Sequence, residues 1–165
     1  MNEILSDYLI NEKTMALLPA YNAAYDTIAV EQGKRFFIQK TAIQLINQAC
    51  IESNSTYEER RQSVINQTGF KRKIPIPINL GKNIFTFPTH ATADFHCSWL
   101  FYHQLLQIRQ NHLKTEPHTK SIITFLNGEK VSMDITSYIL NKQMERTLEC
   151  IFAFSSCSGK AVYGI

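Results

Sequence analysis

The chain lacks most of what would signal catalysis, a membrane or an oxidising compartment. Its six glycines are isolated, and none builds the glycine-rich loop that cradles nucleotide phosphates. No stretch approaches the roughly 20 apolar residues needed to span a bilayer. The opening residues, MNEILSDYLINEK, carry acids where a signal peptide carries lysines, and no apolar run follows, so a cytosolic location is expected. The cysteines Cys50, Cys97, Cys150 and Cys157 form no CxxC pair, which predicts free thiols, mostly in the core. Acids are also missing from a long internal stretch: none lies between Glu59 and Asp94, and the next is Glu116.

That last absence polarises the chain. Residues 60–115 hold eight basic side chains (Arg60, Arg61, Lys71, Arg72, Lys73, Lys82, Arg109 and Lys114) against one acid, a net of +7 within a whole-chain charge of +3. A basic middle between mildly acidic ends offers a preferred face to a polyanion. A solvated face whose counter-charges lie on the acidic ends is the other reading, and charge alone leaves both open. With 165 residues, 44% of them hydrophobic and 19% charged, the chain is expected to form one folded domain over residues 1–154.

Two kinds of periodicity are present. The first forty residues read as strands joined by tight turns. Asp7–Asn11 and Thr14–Tyr21 flank Asn11-Glu12-Lys13, and Tyr25–Val30 and Arg35–Ile38 flank a turn in which Gly33 supplies positive φ. From Thr41 the apolar spacing becomes helical through Ile51, with Thr41 as N-cap. Thr56-Tyr-Glu-Glu59 has capping-box form and opens a second helix to about Gln67, closed by Gly69. In Phe70–Ile78 two alternate prolines predict an edge strand or an extended arm. Asn83–Pro88 is a short strand. Cys97–Gln110 reads as one long strand, with or without a bulge, whose end could turn helical. Asn127-Gly128 joins Ser121–Leu126 to Lys130–Ile135 in a hairpin. A third helix is expected from Ser137 to about Phe152, followed by an irregular tail over residues 155–165. Blocks of strands and helices, without alternation between them, predict an α+β fold: a mainly antiparallel sheet of short strands and hairpins with about three helices.

Tests for chemistry exclude more than they find. Cys97 lies near His96 and His103, but neighbours on a strand point to opposite faces, so a buried structural cysteine is the better reading. The spacings of His90, His96, Cys97 and His103 match no metal motif, so no metal or other cofactor is predicted. Glu58-Glu59 is explained by helix capping. No catalytic residue is assigned and no enzyme is expected. The constellation that remains is basic and extended. Arg60, Arg61, Lys71, Arg72, Lys73 and Lys82 are the candidate DNA-contacting residues, since lysine and arginine neutralise phosphates and a cationic arm suits a narrow A/T-rich minor groove. Alternatively, Lys71–Lys73 only protects an exposed strand edge.

The order of motifs carries a resemblance. Tyr25-Asp-Thr-Ile-Ala-Val30, Tyr57-Glu-Glu-Arg-Arg61 with Thr68-Gly69, Lys73-Ile-Pro-Ile-Pro77, Asn83-Ile-Phe-Thr-Phe-Pro-Thr89, Cys97-Ser-Trp-Leu100, Ile123-Thr-Phe-Leu-Asn-Gly128 and Gln143-Met-Glu-Arg-Thr147 together resemble the ComK competence transcription factors. The similarity runs from about Asp7 to about Phe152. It implies an activator of genes for DNA uptake and transformation, binding paired A/T-rich promoter boxes mainly through the minor groove. It also implies homodimers that pair on double-stranded DNA, and control by an adaptor that delivers the factor to a Clp protease. ComK-like chains usually continue past the last helix with a charged extension bearing an aromatic, proline and lysine motif. Ser155–Ile165 does not resemble it, so a shortened C-terminus is expected. The alternative to an activator is a folded but inactive remnant, or an interaction module that no longer binds DNA.

Overall fold

Residues 3–163 are described by the computed structural model, with side chains through Ser155. Strands β1 (Ile4–Leu5), β2 (Ala16–Pro19), β3 (Thr27–Glu31) and β4 (Lys34–Ile38) precede helices α1 (Ala42–Glu52) and α2 (Tyr57–Thr68). Strands β5 (Ile76–Asn79), β6 (Ile84–Pro88) and β7 (Trp99–Phe101) follow. After a 3-10 turn at Tyr102–Gln104 come β8 (Leu105–Gln110), β9 (Ser121–Phe125), β10 (Lys130–Met133) and helix α3 (Ser137–Tyr163). The sheets run β1-β4-β3-β2-β7-β6-β5 and β10-β9-β8, antiparallel throughout except for β1 beside β4. This is the predicted α+β class.

The central strands of the larger sheet are buried on both faces. Leu17, Ala29, Trp99 and Phe101 join Leu45, Ile46, Ala49 and Cys50 of α1 and Val64 of α2 in one core. The alternate residues Ala16, Val30 and Leu100 join Phe125, Ile123 and Met133 of the smaller sheet and Leu140 of α3 in a second. Double burial explains why the opening strands alternate so poorly in hydrophobicity: neither face needs to be polar.

Local chemistry sets the element ends. Thr41 with Gln44, and Thr56 with Glu59, form complete capping boxes. Gly69 ends α2 in left-handed conformation at φ 79°. Gly33 turns the β3–β4 hairpin at φ 65° and donates its N–H to Glu129 Oε1 at 2.7 Å, tying that hairpin to the smaller sheet.

Three expectations change. Asp7–Asn11 is not a strand: the Tyr8 hydroxyl hydrogen-bonds Thr14 Oγ1 and Glu31 Oε2, both at 2.6 Å, and Asn11 Oδ1 accepts the Lys13 N–H at 2.8 Å. Side chains there do what ladder bonds would otherwise do. Cys97–Gln110 is not one strand: the chain leaves the large sheet after Phe101, turns, and enters the small one as β8, so Leu105 and Ile108 serve the second core. Helix α3 runs on past Phe152 to Tyr163, so residues 155–163 are helical backbone rather than an irregular tail. Lengthening an existing helix needs no new nucleus, which periodicity cannot register. Residues 164–165 of that expected tail lie outside the described residues.

Candidate nucleic-acid interface

Strand β5 is the predicted edge strand, with Pro77 in the ladder opposite Phe85. The free arm is absent, however: Ile74 through Ile78 are all buried. Isoleucines at alternate positions belong to the first core, leaving no extended segment to enter a groove.

Arg60 stands apart from the other candidates. Its guanidinium donates to the carbonyls of Pro77 and Ile78 at 2.6 and 2.9 Å, and to those of Ser53 and Cys50 at 2.7 and 3.3 Å. A further bond reaches Ser55 Oγ. Arginine here satisfies the orphan carbonyls at the end of α1 and staples them to β5. Each guanidinium nitrogen thus has an acceptor within the protein. Arg61 pairs with Glu58 at 2.9 Å, and Lys82 stands 3.9 Å from Glu12 in the β5–β6 turn, at the far end of that hairpin from Lys73.

Lys71, Arg72 and Lys73 stay together. The turn that carries them follows α2, and Lys73 adopts φ 48°, a left-handed conformation that an ordinary side chain resists. Helix α3 holds it there. Gln143 Nε2 donates to the carbonyls of Lys73 and Pro88 at 3.0 and 2.8 Å. Arg146 donates to the carbonyls of Lys73 and Arg72 at 3.2 and 2.5 Å. Gln143 Oε1 accepts from Arg146 in turn. Lys71 and Arg72 are exposed, and neither forms an ion pair among the described residues.

Lys73 Nζ reaches the Thr89 carbonyl at 3.4 Å. Burial, then the nearby Arg146 charge, pushes its ammonium below the usual lysine value. Burial likewise lowers Arg146, opposed by Glu149. Such a half-buried cationic group, with no carboxylate in ion-pair contact, gains from an anion that approaches. Arg146 and Gln143 were missed because a helical arginine and glutamine read as surface residues, although both fall in the Gln143–Thr147 motif.

Cys97 Sγ donates to the carbonyls of His90 and Ser98 at 3.4 and 3.5 Å, and burial raises its thiol. A cavity of about 590 Å³ is lined in part by His90, His96, His118 and Asp134. Among the described residues no three side chains of metal-ligating type gather closely enough to hold an ion. Nor is any described helix long and apolar enough to cross a membrane.

Comparison with known proteins bears on the whole chain. The family model described as ComK protein matches residues 5–158. The competence transcription factor of Bacillus subtilis (strain 168) is 24% identical over 144 residues, covering 87% of this chain and 72% of that protein. No solved structure matches. A family match across nearly every element described above leads to one conclusion: the chain belongs to the ComK family.

Proposed function

We propose that the chain is a DNA-binding transcription activator of competence genes that docks A/T-rich promoter boxes mainly through the minor groove. One observation carries the reading: Lys71, Arg72 and Lys73 project from one turn, backed by Arg146, with no carboxylate paired to them. Cations so placed neutralise phosphates and release counterions, which gives affinity without sequence information. The name of the Bacillus subtilis relative supports the competence role.

Groove entry then falls to exposed side chains of the turn, since the proline segment is packed. Lys71 and Arg72 are of the kind drawn to the enhanced negative potential of a narrow A/T-rich groove. Action on promoters implies a cytoplasmic protein. Binding as homodimers, and capture by an adaptor of a Clp protease, rest on the family resemblance.

Titration of the full chain against an A/T-box duplex at several salt concentrations tests this. Log affinity should fall linearly with log salt. Replacing Lys71, Arg72 and Lys73 together with Ala should weaken binding to every sequence and reduce the slope by about 0.9 for each phosphate no longer neutralised. No retention at low salt would favour the inactive-remnant reading. An unchanged slope in the triple variant would move the phosphate-binding side chains elsewhere.

A further inference from the structure

Two aromatic side chains stand where connecting loops usually carry polar ones. Phe95 is 72% exposed and Tyr21 58%, and their ring centroids lie 5.2 Å apart. His96 completes the group at 5.7 Å from Tyr21 and 6.0 Å from Phe95. The Tyr21 hydroxyl bonds His96 Nδ1 at 2.9 Å. None of the three rings belongs to either core. Single exposed apolar residues are ordinary, whereas a contiguous group marks a contact surface.

The loops that carry these rings are held in place. Asp94 Oδ1 accepts the His96 N–H at 2.8 Å, and the Asp94 carbonyl accepts the Cys97 N–H at 3.1 Å. Tyr21 itself sits at φ 51°, a backbone conformation rare for a bulky residue. The platform is preformed.

It is also linked to the basic turn through Lys73. Lys73 Nζ bonds the Thr89 carbonyl at 3.4 Å, Thr89 Oγ1 bonds His90 Nδ1 at 2.8 Å, and the Cys97 thiol returns to the His90 carbonyl at 3.4 Å. Phe95 and His96 ride on the loop so closed. Of the nearby acids, Asp94 accepts the His96 N–H and Asp134 lies 3.7 Å from Lys120; after burial, both carboxylates push the Tyr21 hydroxyl up. Cations next to exposed rings match a partner that is anionic outside and aromatic inside. A second copy of the chain would instead set like charges against each other.

We infer that Phe95, supported by Tyr21, is an apolar wedge that presses between bases of the duplex held by the neighbouring cations and kinks it, with His96 as the positioning residue for Tyr21. This rests on the DNA-binding reading above and adds a source of sequence preference. Side chains pressed between base steps unstack them and bend the duplex by about 20–90°. Pyrimidine–purine steps yield most easily, so a TA step within an A/T-rich box is preferred for its deformability rather than read by hydrogen bonds.

The test uses the full chain and an A/T-box duplex with 2-aminopurine at the adenine of a TA step and a fluorophore pair on its ends. Wild type should raise 2-aminopurine fluorescence and shorten the end-to-end distance. Phe95→Ala should abolish both and weaken binding about ten- to a hundredfold, while melting at the wild-type temperature because the ring is exposed. Phe95→Leu should keep most of the signal. Lys71→Ala with Arg72→Ala should weaken binding yet leave the signal intact at saturation. Binding by wild type without unstacking, or unstacking that survives Phe95→Ala, overturns the wedge and leaves the DNA-binding reading standing. Failure of wild type to bind any duplex overturns both.

Discussion

The guanidinium of Arg146 lies 4.4 Å from the ring centroid of Phe70. The group that holds the carbonyls of Arg72 and Lys73 from one side is therefore itself stacked on the residue that begins their turn. A planar fork can stack and donate in two directions at once; an ammonium cannot. Arg146→Lys should keep the charge and lose the clamp. The expected outcome is faster amide hydrogen exchange over residues 70–73 and about tenfold weaker duplex binding, a loss of roughly 1.4 kcal/mol. Equal exchange in the variant would mean that the turn holds its own shape.

Arg60 separates stability from binding. Its side chain serves four carbonyls across α1, the following turn and β5. Bonds from a charged donor are among the stronger ones, and their loss leaves partly buried acceptors unpaired. Arg60→Ala should lower unfolding stability by about 2–4 kcal/mol, read from urea denaturation. Below its melting temperature it should bind duplex DNA with the wild-type salt slope. A reduced slope would return Arg60 to the phosphate-binding set.

These two arginines show what the amino-acid order discloses and what it hides. The N-cap at Thr41, the capping box at Thr56 and the glycine turns at Gly33 and Gly128 were legible, because each depends on residues a few positions apart; β5 was legible only as either an edge strand or an arm. The chain's passage from the large sheet to the small one after Phe101 was not, because it depends on which distant core each strand meets. The basic run Lys71–Lys73 was legible as a cluster. The carbonyl partners of Arg60 were not legible, because a guanidinium on carbonyls and one on phosphates have the same sequence. Arg146 was missed because 73 residues separate it from Lys73.

Glu59 predicts an acid limb to the stability curve. Its carboxylate accepts the Thr56 N–H at 2.9 Å in the capping box of α2, and that backbone bond, followed by the Thr56 hydroxyl, holds its pKa below the ordinary 4.5. A depressed carboxylate contributes stability above its unfolded pKa and loses it as pH falls through the folded one. Glu59→Gln keeps an acceptor without a titrating group. Denaturation midpoints measured from pH 7 to pH 3 should fall less steeply for the variant below about pH 4.5. Parallel curves would show that this carboxylate contributes nothing to acid unfolding.

The alkaline limb has the opposite sign and a different origin. Burial pushes the Cys50 thiol up to about 11, against the lowering effect of Arg60, and the Cys150 thiol up to about 12, helped by Glu149, from an ordinary 9.0. A raised folded pKa means that the native state keeps a proton the unfolded chain gives up. Stability is complete below pH 9 and declines as pH rises toward the folded values. Each thiol contributes at most about 1.4 kcal/mol per pH unit in that window. Two tyrosines extend the trend: Tyr8 is raised by burial and by its bond to Glu31, and the half-buried Tyr57 by its partial burial. Cys150→Ala should therefore show a shallower fall in urea midpoint between pH 9 and pH 10.5, whatever its absolute stability at pH 7. In native wild type, neither Cys50 nor Cys150 should react with a thiol reagent at pH 8 on the timescale of the unfolded chain, since a buried neutral thiol is a poor nucleophile. Rapid labelling of both in the folded protein would mean that the core around α1 and α3 opens far more readily than its packing requires.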